Sequence, residues 1–562
     1  MSCRRCIREH RRDDVRSLAL QARRYPSVDM PAAITQISGW QIAKEKIPAW
    51  AENEHILYPA HLSLEQCSSQ ATAQYKAEII TNLLHTEQEH PAQNSTPASA
   101  GTFTDLTGGF GIDCAYLSSR FGHATYVERQ ETLCQIAAHN FPVLGLNHIS
   151  VCHADSVRHL QEMDPVDCIF IDPARRDGHG GKTVAIGDCE PDIAALEELL
   201  LRKARHVLVK LSPMLDLTLA LNDLKHVHQA HIVSVGNECK ELLLLLGQGE
   251  GVPADDIPIH CVNFTGVPAP QALVFTRRQE KERACPYTPQ LKSYLYEPNA
   301  SVLKASAFRS LSSLYKVEKL HPNSHLYTSD HFLPDFPGRK FRITSSCGFG
   351  KKEVKEMLDY YGSVLPFNHT TDELIKVMKP WYDNYCFAEE RYGETTMYNS
   401  VMVLNFVDNY IDNEYQIPKR MVETNIRIDY DKLRMLIRHD KEFAHDASII
   451  QQLVTQGFVI GTLNENFPAE RINDPDNFLS LLFYFGMVTI DGTYKGETKF
   501  IIPNEVVRDQ MYTYLLDTYK ENDLVYDRYS KGKLESKLAY DGQFKPYFEY
   551  IADCLKKYSS QR

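Results

Sequence analysis

A glycine-rich stretch, DLTGGFGID at residues 105–113, follows a short apolar run that predicts a β-strand. Asp105 would end this strand. Gly108, Gly109 and Gly111 would let the backbone turn tightly and approach a ligand closely, and the helix predicted after them would present free N–H groups. The spacing fits neither the GxGxxG loop of dinucleotide-binding folds nor the GxxxxGK[ST] loop that cradles phosphates. The stretch therefore predicts a ligand site of another kind.

Acidic side chains stand where three further predicted strands end. Glu128 closes ATYVE, Asp155 follows ISVCHA, and Asp172 closes VDCIFI. These apolar runs alternate with helix-length segments, which predicts an α/β fold with a parallel, doubly wound sheet. Ligands of such sheets bind at the carboxyl ends of the strands. We therefore expect the three carboxylates to meet the glycine-rich loop. Three later runs, HIVSVG, ELLLLLG and ALVFTRR, predict antiparallel strands at the sheet's edge.

Across roughly residues 102–285 this pattern resembles the class I methyltransferases. The resemblance implies a Rossmann-like methyltransferase sheet with S-adenosylmethionine as cofactor. It places Glu128 at the ribose hydroxyls, Asp155 at the adenine amino group and Asp172 beside the methyl transfer. The implied cofactor-binding residues are Asp105, Thr107, Gly108, Gly109, Gly111, Asp113, Glu128, Asp155 and Asp172.

Residues 171–183, IDPARRDGHGGKT, contain two competing signals. The terminal GGKT fails as a phosphate loop, because the required first glycine would stand where Arg176 is found. The Asp172-Pro173-Ala174-Arg175 run is instead similar to the DPPR and DPPY loops of nucleic-acid methyltransferases. It departs from the NPPY form used for exocyclic amines, so the acceptor atom stays open.

The predicted catalytic residues are Asp172, Pro173 and Arg175. A sulfonium methyl group is already activated, so the protein mainly has to align acceptor and methyl group. Asp172 could hold the acceptor or take its proton. A cysteine-based route is not expected, because no cysteine directly follows Pro173 and Cys168 lies within the strand.

The predicted substrate-binding residues are Arg175, Arg176 and Lys210. The two arginines could grip a substrate phosphate through paired N–H groups. The alternative is a salt bridge from this arginine pair to Asp177 or Asp188. Lys210 ends the fifth predicted strand and could line the same pocket.

The segment HLSLEQCSSQATAQYKA before the sheet, and the segments EPNASVLKASAF and FPGRKFRI after it, extend the resemblance to a bacterial methyltransferase family with a C-terminal THUMP-like module. Residues 1–101 are expected to be a helical N-terminal region and linker, 102–285 the methyltransferase domain, and 286–354 a small α+β THUMP-like module. The module implies RNA, either tRNA or rRNA, as the partner. Four N-terminal residues could cover the cofactor or the acceptor, or only pack the helices: Gln66, Ser68, Ser69 and Lys76.

Residues 355–562 resemble a different family, through KPWYDNYCFAEE and TTMYNSVMVLNFVDN. These segments look like the C-terminal part of AAA-ATPase-like proteins that carry a PD-(D/E)xK nuclease-like domain. We expect a mainly helical domain that binds protein, and no ATP binding, because neither Walker motif is present. The aromatic cluster at Trp381, Tyr382 and Tyr385, with Asp383, is expected to be core packing.

Composition bounds the remaining possibilities. Fourteen scattered cysteines predict reduced thiols in the cytoplasm, and the isolated Cys3–Cys6 pair lacks the second ligand pair of a zinc site. No apolar run is long enough to predict a membrane span. The net charge of −12 argues against unspecific nucleic-acid coating, although the first 24 residues carry eight arginines and three acids. These first 24 residues are expected to form either a local RNA-binding patch or a solvated helix.

Three functions stay open at the level of sequence. The first is an S-adenosylmethionine-dependent methyltransferase that acts on RNA. The second is a methyltransferase for a protein or a small molecule. The third is a non-catalytic interaction protein, in which an inactive methyltransferase fold is joined to the AAA-ATPase-like segment.

Overall fold

A computed structural model describes residues 3–89, 101–175, 186–249, 251–267, 269–394, 396–422, 449–464, 474–512 and 528–559. The chain forms two compact units, residues 1–344 and 345–562. Arg176 and the GGKT run at 180–183 lie outside the described residues.

The first unit begins with a helical region, as the sequence predicted. Asp14 and Asp29 cap two of its helices by accepting hydrogen bonds from the N–H groups of Ser17 at 2.8 Å and Ala32 at 3.1 Å. Such caps satisfy backbone donors that have no partner within the helix. The helices are α1 (Cys3–His10), α2 (Val15–Leu20), α3 (Met30–Lys46), α4 (Pro48–Ala51), α5 (His61–Gln66) and α6 (Gln70–Glu89), with a 3-10 turn at Ala22–Arg24.

A nine-stranded sheet follows, in the order β11-β10-β8-β9-β7-β4-β1-β2-β3. Its strands are β1 (Thr102–Asp105), β2 (His123–Glu128), β3 (Ile149–His153), β4 (Val166–Ile171), β7 (Ala204–Leu211), β8 (Val227–Val235), β9 (Glu238–Gly247), β10 (Ile259–Phe264) and β11 (Gln271–Phe275), while β5 (Ala174–Arg175) and β6 (Cys189–Glu190) pair separately. Strands β3, β2, β1, β4 and β7 are mutually parallel. The predicted doubly wound Rossmann-like sheet is therefore confirmed.

Helices cover both faces of this sheet, which makes both faces core. They are α7 (Ile112–Ser118), α8 (Glu131–Val143), α9 (Ser156–Glu162), α10 (Ile193–Lys203) and α11 (Leu217–Asp223), with a 3-10 turn at Ile186–Asp188 and a peripheral α12 (Arg277–Glu282). On one face, Trp50 and Ile80 of the N-terminal helices share a buried cluster with Phe103 and Tyr126 of the sheet. The N-terminal region is thus packed onto the sheet and does not stand apart from it.

The placement of β9 corrects the sequence prediction, which put the strands of residues 231–247 and ALVFTRR at the edge. Strand β9 lies inside the sheet, antiparallel to both β7 and β8, and β8 runs parallel to β10. Only β11 is an antiparallel edge strand. The physical reason is that Leu242–Leu246 are buried on both faces of the sheet. A strand of this kind belongs in the interior, and its apolar run alone does not say which strands flank it.

A two-residue turn joins β8 to β9. Val235 pairs with Glu238, so only Gly236 and Asn237 lie between the strands. Both have positive φ, at 59° and 65°, as the tight turns of β-hairpins require. The N–H of Asn237 donates to the side-chain oxygen of Asn263 at 3.1 Å. The pair β8–β9 is therefore a local hairpin that fills the middle of the sheet.

A small α+β module completes the first unit, in agreement with the sequence. Its antiparallel sheet has the order β13-β14-β12-β15. Tyr296 and Leu311 of this module share the buried cluster on the second face of the large sheet. Its elements are β12 (Tyr294–Pro298), α13 (Ala300–Ala305), α14 (Phe308–Tyr315), β13 (Glu318–Lys319), β14 (Tyr327–Ser329) and β15 (Gly338–Arg342).

The second unit is mainly helical, as predicted, with one small antiparallel sheet of order β16-β18-β17. Tyr382 and Tyr385 are buried, and the Tyr382 hydroxyl donates to the carbonyl oxygen of Met421 at 2.6 Å. This part of the aromatic cluster is core packing, as expected. The described elements are α15 (Lys351–Val364), α16 (Thr371–Tyr382), α17 (Ser400–Asp412), α18 (Ile449–Gln456), β16 (Val459–Gly461), α19 (Phe478–Tyr484), β17 (Thr489–Tyr494), β18 (Glu497–Ile501), α20 (Arg528–Asp541) and α21 (Phe544–Ser559), with 3-10 turns at Glu389–Arg391 and Pro475–Asn477.

Of the helices that the structure describes, none is long and apolar enough to cross a membrane. Within the same residues, His, Cys, Asp and Glu side chains form no group of three that could hold a metal ion.

Candidate active site

The glycine-rich loop after β1 is fastened to strand β2. The N–H of Gly108 donates to the carbonyl oxygen of Val127 at 2.8 Å, and the Tyr126 hydroxyl donates to the carbonyl oxygen of Gly109 at 2.5 Å. A Cβ on Gly108 would lie 2.2 Å from the Tyr126 ring. Gly109 and Gly111 have φ of 54° and 90°, a region that favours glycine. Each predicted glycine is thus required by close approach or by conformation.

Glu128 closes the loop from the side of β2. Its Oε2 accepts a hydrogen bond from the N–H of Gly109 at 2.9 Å, and its Oε1 accepts one from the N–H of Gln130 at 2.8 Å. Each carboxylate oxygen has a further lone pair. The side chain therefore holds the loop and can still accept hydrogen bonds from a ligand.

Asp105 lies at the bottom of the loop and is fully buried. Its Oδ1 accepts a hydrogen bond from the N–H of Thr107 at 3.0 Å, while its Oδ2 has no hydrogen-bond partner among the described residues. Burial raises the pKa of Asp105 well above its ordinary value, and the nearby carboxylates of Asp113 and Asp172 add to the shift. The carboxyl group therefore favours its neutral form, which can donate a hydrogen bond.

Asp172 follows β4 and is held by two neighbours. Its N–H donates to the Thr107 hydroxyl at 2.6 Å, and its Oδ2 accepts a hydrogen bond from Lys210 Nζ at 2.5 Å. Burial raises the pKa of Asp172 above its ordinary value, although Lys210 opposes the shift. Burial likewise opposes the charge on Lys210, but Asp172 and other carboxylates raise the pKa of that amine. The two side chains form an oriented ion pair.

Asp113 and Asp155 each have a local structural role. Asp155 accepts hydrogen bonds from the N–H groups of Val157 and Arg158, both at 3.0 Å, and so caps α9. Asp113 lies in the first turn of α7 and accepts hydrogen bonds from Lys76 and Ser68, both at 2.7 Å. Lys76 is fully buried. The N-terminal helices are therefore connected to the start of α7 by charged side chains.

The loop after Asp172 is described only in part. Pro173 is buried, and the backbone of Arg175 pairs with Cys189 between β5 and β6. The side chain of Arg175 and the whole of Arg176 lie outside the described residues. Their predicted phosphate contact therefore stays a prediction.

A cavity of about 950 Å³ opens at the carboxyl ends of these strands. It brings together most of the predicted cofactor-site and transfer-site residues, namely Asp105, Thr107, Gly108, Gly109, Gly111, Asp113, Glu128, Asp155, Asp172, Pro173 and Lys210. The N-terminal region contributes Gln66 and Ser68 to the wall, as the sequence allowed.

The sequence analysis missed other residues of this site. Ser63, Cys67 and Lys240 also line the cavity, and Glu241 lies 2.9 Å from Lys76. The charged run NECKE at residues 237–241, which includes the first four residues of β9 and precedes its five leucines, was the one available signal for Lys240 and Glu241. Their placement depends on the interior position of β9, which the sequence did not predict.

Comparison with known proteins connects this geometry to a family. A crystal structure of a "putative methyltransferase" from Porphyromonas gingivalis W83 matches at 32% sequence identity over 66% of this chain and 90% of that chain, with a TM-score of 0.54. Residues 294–337, within the small module, match a family model described as a ferredoxin-like domain. None of the curated proteins matches the sequence.

Two other solved structures match shorter parts of the chain. One is M. capricolum TrmK in complex with S-adenosyl-homocysteine, with 12% identity, coverage of 27% of this chain and 63% of that chain, and a TM-score of 0.22. The other is an rRNA methylase from Streptococcus thermophilus, with 14% identity, coverage of 26% and 87%, and a TM-score of 0.21. The match to the Porphyromonas gingivalis protein has 32% identity and covers 90% of that protein. On this basis the chain belongs to that methyltransferase family.

Proposed function

We propose that this chain is an S-adenosylmethionine-dependent methyltransferase that acts on RNA. The observation that carries the proposal is the cavity in which the glycine-rich loop, Glu128 and the Asp172–Lys210 pair converge at the carboxyl ends of the parallel strands. Its family membership supports the reaction class.

The residues present fit the cofactor. Gly108 leaves room that a Cβ would close, and Glu128 has lone pairs available for the ribose hydroxyls. Asp105 Oδ2 is a buried polar atom without a partner among the described residues, and such atoms usually mark a missing partner. Asp155 would reach the adenine amino group, and Asp113 supports the loop from below. When bound, S-adenosylmethionine supplies an electrophilic methyl group.

Asp172 and Lys210 would act at the acceptor. A carboxylate with a raised pKa is a better proton acceptor at neutral pH than an ordinary one. Lys210 orients that carboxylate at 2.5 Å and keeps a positive charge beside it. Pro173 has a fixed φ and restricts the backbone of Asp172 before it. Arg175, Arg176 and Lys210 would hold a phosphate of the substrate.

Exposed arginines support RNA as the acceptor. Arg4 and Arg8 lie one turn apart on α1 and are exposed, as are Arg12 and Arg16 between and within the first two helices. Contacts of this kind with phosphates release counterions and dominate nucleic-acid affinity. We also propose that the ferredoxin-like module is THUMP-like and contributes to tRNA or rRNA binding.

The alternative acceptor is a protein or a small molecule. Among the described residues that line the cavity, acidic side chains outnumber basic ones. Such a lining favours a cationic or neutral acceptor over a polyanion. RNA binding that does not depend on the salt concentration, or a lack of RNA binding, would favour this alternative.

We propose that the chain has four parts, which are residues 1–101, 102–285, 286–354 and 355–562. The last is proposed to be an AAA-ATPase-like segment that binds protein and no ATP, because its sequence lacks Walker motifs. A cytoplasmic location is proposed from the cysteine usage.

Calorimetric titration of the purified chain with S-adenosylhomocysteine tests the function. We expect micromolar binding, and no binding of ATP–Mg²⁺ in the parallel control. Absence of S-adenosylhomocysteine binding would contradict the methyltransferase proposal. Binding of ATP–Mg²⁺ would contradict the proposal for the second unit.

A further inference from the structure

Five charged side chains meet at the wall of the cavity, and three of them line it. Lys76 comes from α6, Asp113 from α7, Lys210 from β7 and Glu241 from β9, and Asp172 follows β4. The group contains three carboxylates and two ammonium groups. Lys76 is its only member from the N-terminal helical region, and its side chain is fully buried.

Lys76 engages two of the three carboxylates. Its Nζ lies 2.7 Å from Asp113 Oδ1 and 2.9 Å from Glu241 Oε2. It also donates to the Ser68 hydroxyl at 2.7 Å, and this hydroxyl lies 2.7 Å from Asp113 Oδ2 and 3.1 Å from Glu241 Oε1. Lys76 and Ser68 therefore bridge the two carboxylates at both of their oxygens.

Lys210 binds the third carboxylate, that of Asp172, and also interacts electrostatically with the carboxylates of Asp113 and Glu241. Besides Asp172, both Glu241 and Asp113 raise the pKa of Lys210. Burial alone would raise the pKa of Asp113, but Lys76 and Lys210 lower it below its ordinary value. Because buried charges interact strongly, three carboxylates compete for two ammonium groups.

We propose that Lys76 is a positioning residue for the reaction site, because by binding Asp113 and Glu241 it leaves Lys210 paired with Asp172. The inference rests on the proposed function, in which Asp172 acts at the methyl acceptor. It assigns to the N-terminal helical region a role in the chemistry that goes beyond covering the cavity.

Loss of Lys76 would redistribute the partners. Asp113 and Glu241 would lose their ammonium group, and an unpaired buried charge is strongly unfavourable. Lys210 is the remaining ammonium group of the cluster, so it would turn toward them and away from Asp172. Asp172 would then take up a proton more readily. Burial and Asp113 raise its pKa, whereas Lys210 and Lys76 lower it, and the carboxyl group of Asp105 lies close by.

A crystal structure of the Lys76→Met variant tests the redistribution without any cofactor. We expect Lys210 Nζ to lie within hydrogen-bond distance of Asp113 or Glu241, and the hydrogen bond to Asp172 to be broken. A structure in which Lys210 keeps its bond to Asp172 would overturn the proposal. This readout decides the inference even if S-adenosylhomocysteine fails to bind the wild type, which would count only against the proposed function.

Titration with S-adenosylhomocysteine at several pH values gives a second readout. Asp172 lines the cavity and is among the residues predicted to bind the cofactor, and its ionised form would attract the ammonium group of this ligand. Affinity should therefore fall as the pH drops through the pKa of Asp172. For Lys76→Met, the ratio of its Kd to that of the wild type should be about 10 times larger at about pH 6 than at about pH 8.5. A merely loosened structure would change Kd by one factor at every pH, and that result would overturn the proposal.

Two further variants complete the test. Lys44→Met removes an exposed lysine of the same helical region, whose Nζ lies 5.8 Å from the centre of the Trp40 ring, and should leave the pH profile unchanged. Glu241→Gln removes one competing charge and should move the loss of affinity to lower pH, the opposite of Lys76→Met. If Lys76→Met does not fold, the direction of the Glu241→Gln shift decides, and a shift to higher pH would overturn the proposal.

Discussion

The two ends of the cavity are built in different ways. At the end formed by β1 and β2, backbone groups do most of the work: Gly109 donates to Glu128, and Tyr126 donates to Gly109. At the end formed by β4 and β7, Asp172 and Lys210 form an ion pair. The first end depends on shape, whereas the second depends on protonation. Substitutions and pH should therefore affect the two ends differently.

The largest expected effect is that of Gly108→Ala. The added Cβ would lie 2.2 Å from the ring of Tyr126, which itself is buried and cannot move aside. We expect S-adenosylhomocysteine affinity to fall by about 100-fold or more, at every pH, as titration calorimetry would measure.

Gly187→Ala is the matched control for this substitution. No described residue lies within 4 Å of a Cβ at that position, so affinity and thermal stability should stay close to wild type. Normal affinity in Gly108→Ala would show that the loop is not held against Tyr126 as described.

Glu128→Gln should weaken S-adenosylhomocysteine binding by about 10- to 30-fold, since the charged acceptor for the ribose hydroxyls is lost. The amide oxygen can accept a hydrogen bond from only one of the two N–H groups that Glu128 now binds. Calorimetry at two pH values would measure the loss. Equal binding of adenosine to both proteins would contradict a ribose contact.

Asp172→Asn separates the two ends by pH. Its effect on S-adenosylhomocysteine affinity should be largest at alkaline pH, where the wild-type carboxylate is ionised, and should vanish at acid pH, where both side chains are neutral. The raised pKa of Asp172 places this change above the ordinary range of an aspartate. Calorimetry across the pH range would measure it, and a constant ratio of the two Kd values would refute the assignment.

Methyl transfer gives the same variant a second test. Transfer of a labelled methyl group to bulk tRNA or rRNA should fall by about 100-fold or more in Asp172→Asn if the carboxylate takes the proton of the acceptor. Wild-type activity in this variant would remove Asp172 from the chemistry. Asp167→Asn, on the same strand but at its opposite end, serves as the control.

The smallest effect is expected for Asp155→Asn. Asparagine caps helices about as well as aspartate, so thermal unfolding should change by less than about 0.5 kcal/mol. A contact with the adenine amino group would still be weakened, and affinity for S-adenosylhomocysteine should fall a few-fold. Unchanged affinity together with unchanged stability would leave Asp155 as a helix cap alone.

The sequence predicted the neighbours of the glycine-rich loop better than those of Lys76. Asp105 and Glu128 could be placed together because strand ends of a parallel sheet converge, whatever the distance between them along the chain. No such rule predicts the pairing of Lys76 with Glu241, because it joins a helix to a strand 165 residues later in the chain. It depends on β9 lying inside the sheet, and five successive leucines indicate burial but not neighbours.

The hairpin of β8 and β9 has a consequence for synthesis of the chain. Until Gly247 has left the ribosome, β7 has no partner on one side, and the sheet ends there in an open, apolar edge. Such an edge pairs readily with other chains. The tight turn at Gly236 and Asn237 shortens this interval, because β9 can fold back on β8 as soon as both have emerged. A fragment that stops before residue 238 should therefore aggregate, whereas one that ends after β11 carries its own closing strand.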